Sequence, residues 1–539
     1  MKSYSIFPRI SGLIFWIFLM VLFLPRFIYG QHSPNLIFIN GNIFTSDTSQ
    51  LFVEALAVKD HLILATGTTS EIQKLADNST TIIDLKGKTV VPGFNNGHDH
   101  LGWNSPIGKQ FSEPFSIMGP TEEKILESVG EMVRLAKPGQ WIRGMIGNTV
   151  WADQSISRKL DSISPENPVL LQIMWGHGMI LNRKGREEAG FDPTQQDPLG
   201  GWFGRKTNSD SLNGTIHEYA QWPVWYTWTG SEQDQLVAGI QTYLQEMLSY
   251  GITSVQDFSS MIDPSAIEAV FSKVNSPLRL RLVPFPGTSA AGRDLKEWLD
   301  LDENPSELTR ISGVKYMIDG TPLEQNALFK KPYDSNSKWF GRLNMPMDTV
   351  RSILSEAAQS DIQLMLHVVG DSTLSLILPL MKEIASPEVW RQKRIRLEHG
   401  VPPGLSKEDW IDIKAMGIVL MPTPQYIAAS PVKSLLRNGI PIGIAPDMLT
   451  NPFVNIMLLS DRQVLPEENI SRVEAVIAYT FGNAFAEFAE NEKGTLTKGK
   501  LADFAVLTYD IFKIPIDQLP LVTSVLTLVN GKIVYQIQE

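Results

Sequence analysis

The middle of the chain repeats one pattern: a short run of consecutive apolar residues, a Gly, Pro or polar break, and then, between several of the runs, a helical stretch. Unbroken apolar runs of this length suit parallel strands covered on both faces, where in-out alternation disappears. Candidate strands fall at 89–94, 253–258, 278–284, 314–318, 363–368, 394–398, 418–421 and 440–445. Helical periodicity is clear over 348–360 and extends to 374–384, where Pro379 is expected to kink or shorten the helix. This alternation predicts an α/β fold, a (β/α)8 TIM barrel spanning 91–489. Both ends of the chain have another texture, with short strand runs and the turn pairs Asn40-Gly41 and Asn530-Gly531. Neither end is long enough to close a core alone. The economical arrangement is a small composite β-sandwich built from 31–90 and 490–539. About 160 residues separate the first two barrel strands, far more than a loop needs, so 103–230 is expected to form a large insertion after the first strand.

The N-terminus adds a targeting signal. Lys2 and Arg9 precede an uncharged apolar run at 10–24, and small Gly30 precedes the polar Gln31. That order describes a secretory signal peptide over 1–30, and the run is shorter than the roughly 20 residues that comfortably span a bilayer. Export to a periplasmic or secreted location is therefore expected ahead of an uncleaved membrane anchor. The net charge of −11 excludes nucleic acid and anionic lipid as main partners, because both need a basic footprint. Homo-oligomerisation stays open. With no cysteine in the chain, any metal must be held by His, Asp, Glu or a modified Lys.

Candidate chemistry sits at the ends of the predicted strands. His98 and His100 follow the first one, and in extended backbone residues i and i+2 share a side, so two imidazoles can grip one cation. His367 and His399 end the fifth and sixth strands, and Asp447 ends the last. Lys315 lies among apolar neighbours in the fourth strand, where burying an ammonium is costly. Any one of these alone reads as a core histidine or a strand-end cap. Four of the chain's eight histidines falling with an Asp and a Lys where barrel active sites are built makes coincidence the poorer explanation.

These stretches closely resemble the amidohydrolase superfamily, in its YtcJ-like (amidohydrolase-3) branch. The matching residues are Val91-Pro92-Gly93-Phe94 with His98 and His100, Gly251 to Val255, Lys315 with Asp319-Gly320, His367 to Asp371, Leu397-Glu398-His399, Asp447, and the tail from Gly494 to Phe504. The resemblance implies a centre of one or two divalent ions, usually zinc. His98, His100 and Asp447 would hold one, His367 and His399 the other, with Lys315 as a CO2-derived carbamate bridging them. It implies hydrolysis in which metal-bound hydroxide attacks a carbonyl, with Asp447 as the catalytic proton carrier, at a C–N, amide-type bond of a small, apolar or aromatic substrate. Two departures stand out: Gln256-Asp257 replaces a frequent His, and Ala445-Pro446 precedes Asp447 where Gly-Ser is usual.

The alternatives are a mononuclear deaminase of the same superfamily and a non-catalytic exported binding protein that keeps the fold. The deaminase needs a Glu where Gly370 stands, and the binding protein would be expected to have lost ligands. The insertion holds eight of thirteen tryptophans together with His177 and His217-Glu218. It reads either as an aromatic-walled pocket for the substrate or as a small separate core filled by Trp; the resemblance implies a lid over the barrel mouth, and the substrate-binding candidates are Trp175 and His177 within it and Asp319 after the fourth strand.

Overall fold

The computed structural model describes residues 33–111, 118–152, 155–294, 301–334, 336, 338–400, 404–426 and 430–537. The signal-peptide expectation at 1–30 lies outside these residues.

The centre is a TIM-barrel-type α/β fold of parallel strands. Phe94–Asp99, Ile252–Ser259 and Arg279–Pro284 pair in parallel, and Thr309–Ile311 adds at the edge. Val314–Met317, Leu364–His367, Arg396–Glu398 and Val419–Met421 form a second parallel set. The two arcs meet along 309–317, which bends at Gly313 (φ 83°): its first half pairs with the third strand and its second half with the fifth. On the other side, 440–445 makes a single parallel bridge, Leu420 to Ile442, in place of the strand expected there. The Asp447 N–H donates to His98 O at 3.1 Å, and the Asn483 amide spans Asn95 O and Ile444 O, so one backbone bond and the Asn483 side chain do the joining where a ladder would otherwise run.

The first barrel strand is Phe94–Asp99, which corrects the expected 89–94. Thr89–Pro92 belongs to another sheet, pairing with Asn42–Phe44 and with Phe504–Leu507. Gly93 is the crossing point: a Cβ there would lie 2.0 Å from the Thr253 hydroxyl, so only glycine fits. That other sheet has six strands drawn from both chain ends, and a four-stranded sheet from residues 36–84 packs on it. Phe38 and Phe504 meet edge-on at 5.0 Å between the two.

Helices cover the parallel strands with apolar faces at helical spacing. Gln233–Ser249 buries Leu236, Ile240, Leu244 and Leu248, and Met347–Gln359 buries Val350, Ile353, Leu354 and Ala357. Helix Asp371–Ile384 runs through Pro379, which neither ends nor shortens it. Residues 109–218 supply a further six-stranded sheet with its own apolar core around Ile125, Ile142, Leu160 and Leu171. No described helix is long and apolar enough to cross a membrane.

Candidate metal centre

The parallel strands set their C-terminal ends on one side, and the predicted ligands gather there. His98, His100 and Asp447 place ligand atoms within 4.8 Å of one another. The ring of His98 lies 4.8 Å from that of His399, which lies 4.8 Å from that of His367. The Lys315 nitrogen is 3.0 Å from His98 Nε2 and 4.1 Å above the Phe258 ring. Six side chains separated by up to 349 positions thus share one small volume.

Three of the four imidazoles are oriented through Nδ1, as metal-binding histidines often are through their second nitrogen. His98 Nδ1 meets Glu398 Oε2 at 2.7 Å, His100 Nδ1 meets Phe258 O at 2.8 Å, and His399 Nδ1 meets Thr423 Oγ1 at 2.6 Å. The Nε2 atom of His367 is buried and has no partner. Burial, followed by the neighbouring cations, holds His98, His367 and His399 well below the ordinary imidazole range, and His100 at about 3. Neutral rings gathered in one volume, with Lys315 on His98 Nε2, an acid beside His100 and an orphaned buried nitrogen on His367, are a donor set that fits a divalent cation.

Asp447 is pushed up to about 6 by burial, against the pull of Lys315. Its φ of 43° is unusual for a non-glycine residue, as is the 62° of His399. Gln425 Nε2 donates to the carbonyls of Pro446 and Asp447, and the Asp447 N–H is tied to His98 O, so the sequence Ala445-Pro446 still presents this carboxylate to the site. Its Oδ1 is 3.8 Å from His100 Nε2. Burial lowers Lys315 to about 8, and it forms no ion pair among the described residues.

Several contributors were not legible as such beforehand. Glu398 carries His98 on one oxygen and Arg396 Nε on the other at 2.8 Å. Arg396 also donates to Gly97 O and to Gln256, so the residue standing where relatives often have His braces the first strand from below. Arg396 and Glu398 alternate inward on an otherwise apolar strand, which was the available signal.

The expected substrate-binding residues and the histidines and tryptophans of 103–230 divide. His177 Nδ1 pairs with Glu218 Oε2 at 2.9 Å, and its ring lies 4.5 Å from His367. Trp175 packs on Tyr426 at 4.7 Å, and the Tyr426 ring is 6.4 Å from His399. Asp319 is fully buried and accepts from the N–H groups of Leu328, Val369 and Gly370 and from the Thr373 hydroxyl. With a bond on each oxygen it anchors the turn after His367. His217 stacks on Trp202 at 4.7 Å, away from the metal ligands. Trp141, Trp222, Trp225 and Trp228 fill the core, while Trp103 and Trp175 stay partly open near the site.

Parallel α/β architecture with imidazoles and an acid at the strand ends is that of the metal-dependent hydrolases. Residues 81–535 match the amidohydrolase family, and the chain belongs to that family, in its YtcJ-like branch. It is 27% identical to Protein LONG AFTER FAR-RED 3 of Arabidopsis thaliana, over 88% of this chain and 87% of that one. It is 24% identical to the N-substituted formamide deformylase of Arthrobacter pascens, covering 93% and 98%, and 24% identical to the putative amidohydrolase YtcJ of Bacillus subtilis (strain 168), covering 90% and 96%. Among solved structures, an uncharacterized metal-dependent hydrolase from Pyrococcus furiosus shares the fold with a TM-score of 0.66 at 22% identity, over 89% of this chain and 100% of that one. The protein is an amidohydrolase.

Proposed function

We propose that this enzyme hydrolyses a C–N, amide-type bond of a small substrate with an apolar or aromatic part. The observation that carries the proposal is the convergence of His98, His100 and Asp447, with Lys315 against His98 and with His399 and His367 alongside. The proposed ligands are His98, His100 and Asp447 for one ion, His367 and His399 for a second, and Lys315 between them as a carbamate. The buried, ion-pair-free position of Lys315 supports that modification. One or two divalent ions, zinc being the expected metal, would supply positive charge that polarises the carbonyl and acidifies a water.

The chain's own residues do the rest. Asp447, at the mouth and held by Gln425, takes the proton from the attacking water and passes it to the leaving nitrogen. His177, oriented by Glu218, contacts the substrate from the lid, with Trp175 and Tyr426 as an apolar wall. Residues 103–230 act as the lid over a barrel at 91–489, and 31–90 with 490–539 act as the supporting domain. The N-terminal 1–30 serves as an export signal, so the mature protein should start near Gln31.

The test is hydrolysis of N-substituted formamides, N-acyl amino acids and cyclic amides by zinc-loaded protein. Turnover of at least one class, with a loss of about 100-fold or more on Lys315→Ala, is expected. Full activity in the Lys315→Ala variant would remove the bridged site, and no turnover of any class would remove the reading.

A further inference from the structure

Beside the candidate metal ligands lies a cavity of about 420 Å³, lined among others by His100, Trp103, Ser105 and Arg143. Arg143 is 5% exposed, on lid strand Ile142–Ile146. Three indoles surround its guanidinium, those of Trp103, Trp225 and Trp228, at 5.4, 5.7 and 4.8 Å. Its polar partners are neutral: the Trp103 carbonyl at 2.8 Å and Gln172 Oε1 at 3.1 Å. No carboxylate pairs with it among the described residues, whereas Arg396 sits by Glu398 and Lys493 by Glu487; Arg281, bonded to Ser312 and Gln363, is likewise held by neutral groups but lines no part of this cavity.

The surrounding hydrogen-bonding groups lean the same way. Arg143 Nε, Gln172 Nε2 and Ser105 Oγ are all buried and without partners. These atoms can all donate, and two of them can only donate. The one acid in the cavity wall, Asp99, is already engaged by Asn96, Tyr243 and the His100 N–H. A buried guanidinium without a counter-charge is expensive, and a planar two-oxygen anion is the ligand its fork matches.

From this we infer that Arg143 is a specificity residue that binds a carboxylate on the substrate, so that the preferred substrates are anionic amides such as N-acyl amino acids rather than neutral ones. The inference rests on the amide-hydrolase reading above. Trp103, Phe111 and Met145 line the same cavity, so the site suits a carboxylate carried on an apolar body.

Two matched pairs test it. N-Formylphenylalanine and N-formyl-2-phenylethylamine differ only in the carboxylate. The metal-loaded enzyme should favour the acid at least about 10-fold in kcat/KM, mainly through KM. Arg143→Met should erase most of that preference while leaving the neutral formamide within about 3-fold, and Arg143→Lys should restore part of it. Calorimetry with 3-phenylpropanoate and 3-phenylpropanol supplies a readout independent of turnover. Binding of the acid but not the alcohol, lost in Arg143→Met, is expected. If both formamides are cleaved equally, or if Arg143→Met leaves acid binding unchanged, the inference falls while the hydrolase reading stands. If neither is cleaved but 3-phenylpropanoate still binds through Arg143, the carboxylate site stands and the formamides are what fall as the substrate class. Should Arg143→Met not fold, the wild-type preference for acid over neutral partner decides alone.

Discussion

At the scale of single residues, the centre depends on groups that never touch the reacting atoms. Glu398 fixes which nitrogen of His98 faces inward, and Arg396 fixes Glu398. Replacing Glu398 by Gln keeps the volume but removes the charge that holds the Nδ1 proton. Zinc affinity, measured by competition with a chromophoric chelator, should fall about 10- to 100-fold; an unchanged affinity would mean that His98 is oriented by something else. The imidazoles themselves were legible in the sequence because each follows an apolar run, and strand ends are where barrel sites form. Glu398 was visible only as part of a motif, because its partner lies 300 positions away and no local pattern announces such a pairing. The part Asp319 plays in that turn was hidden for a related reason: the N–H groups of Val369 and Gly370 that it accepts from lie 50 and 51 positions away.

At the scale of elements, period and composition located most strands to within two or three residues but did not divide the first one correctly. Val90-Val91-Pro92-Gly93-Phe94 reads as one apolar run, yet the chain changes sheets inside it. The cause is steric: Gly93 crosses Thr253 at a distance no side chain survives, and its N–H is taken by Asp503 O. Gly93→Ala should therefore lower stability by about 1–3 kcal/mol or more, read from thermal unfolding. A melting temperature equal to wild type would show that the crossing can open to admit a methyl group. The eighth strand failed for the opposite reason. Its sequence has the right texture, but 440–445 is held by Asn483 and by one bridge to Leu420, which no hydrophobic pattern encodes.

At the scale of the molecule, the segment 483–493 ties the scaffold together from beneath. Glu487 accepts from Asn95 at 2.7 Å and pairs with Arg310 at 2.7 Å and Lys493 at 2.8 Å, and Lys493 also reaches Ser254. Burial alone would raise this carboxyl, but Lys493, Arg310 and Arg281 together hold it far below 4.5. A depressed carboxylate contributes stability above its unfolded value and loses it as pH falls below that value. Glu487→Gln should cost about 3–5 kcal/mol at neutral pH and flatten the decline of melting temperature below pH 4.5. An acid limb as steep as in wild type would assign that decline to other groups. Above all of this sits the claim that the strand ends form a cation trap. The most direct measurement is metal content per chain, by mass spectrometry of the protein after exposure to zinc and exhaustive dialysis. About one or two equivalents should remain in the wild type, and about one fewer in His98→Ala with Asp447→Ala. A folded wild-type protein that retains no stoichiometric ion would contradict the account.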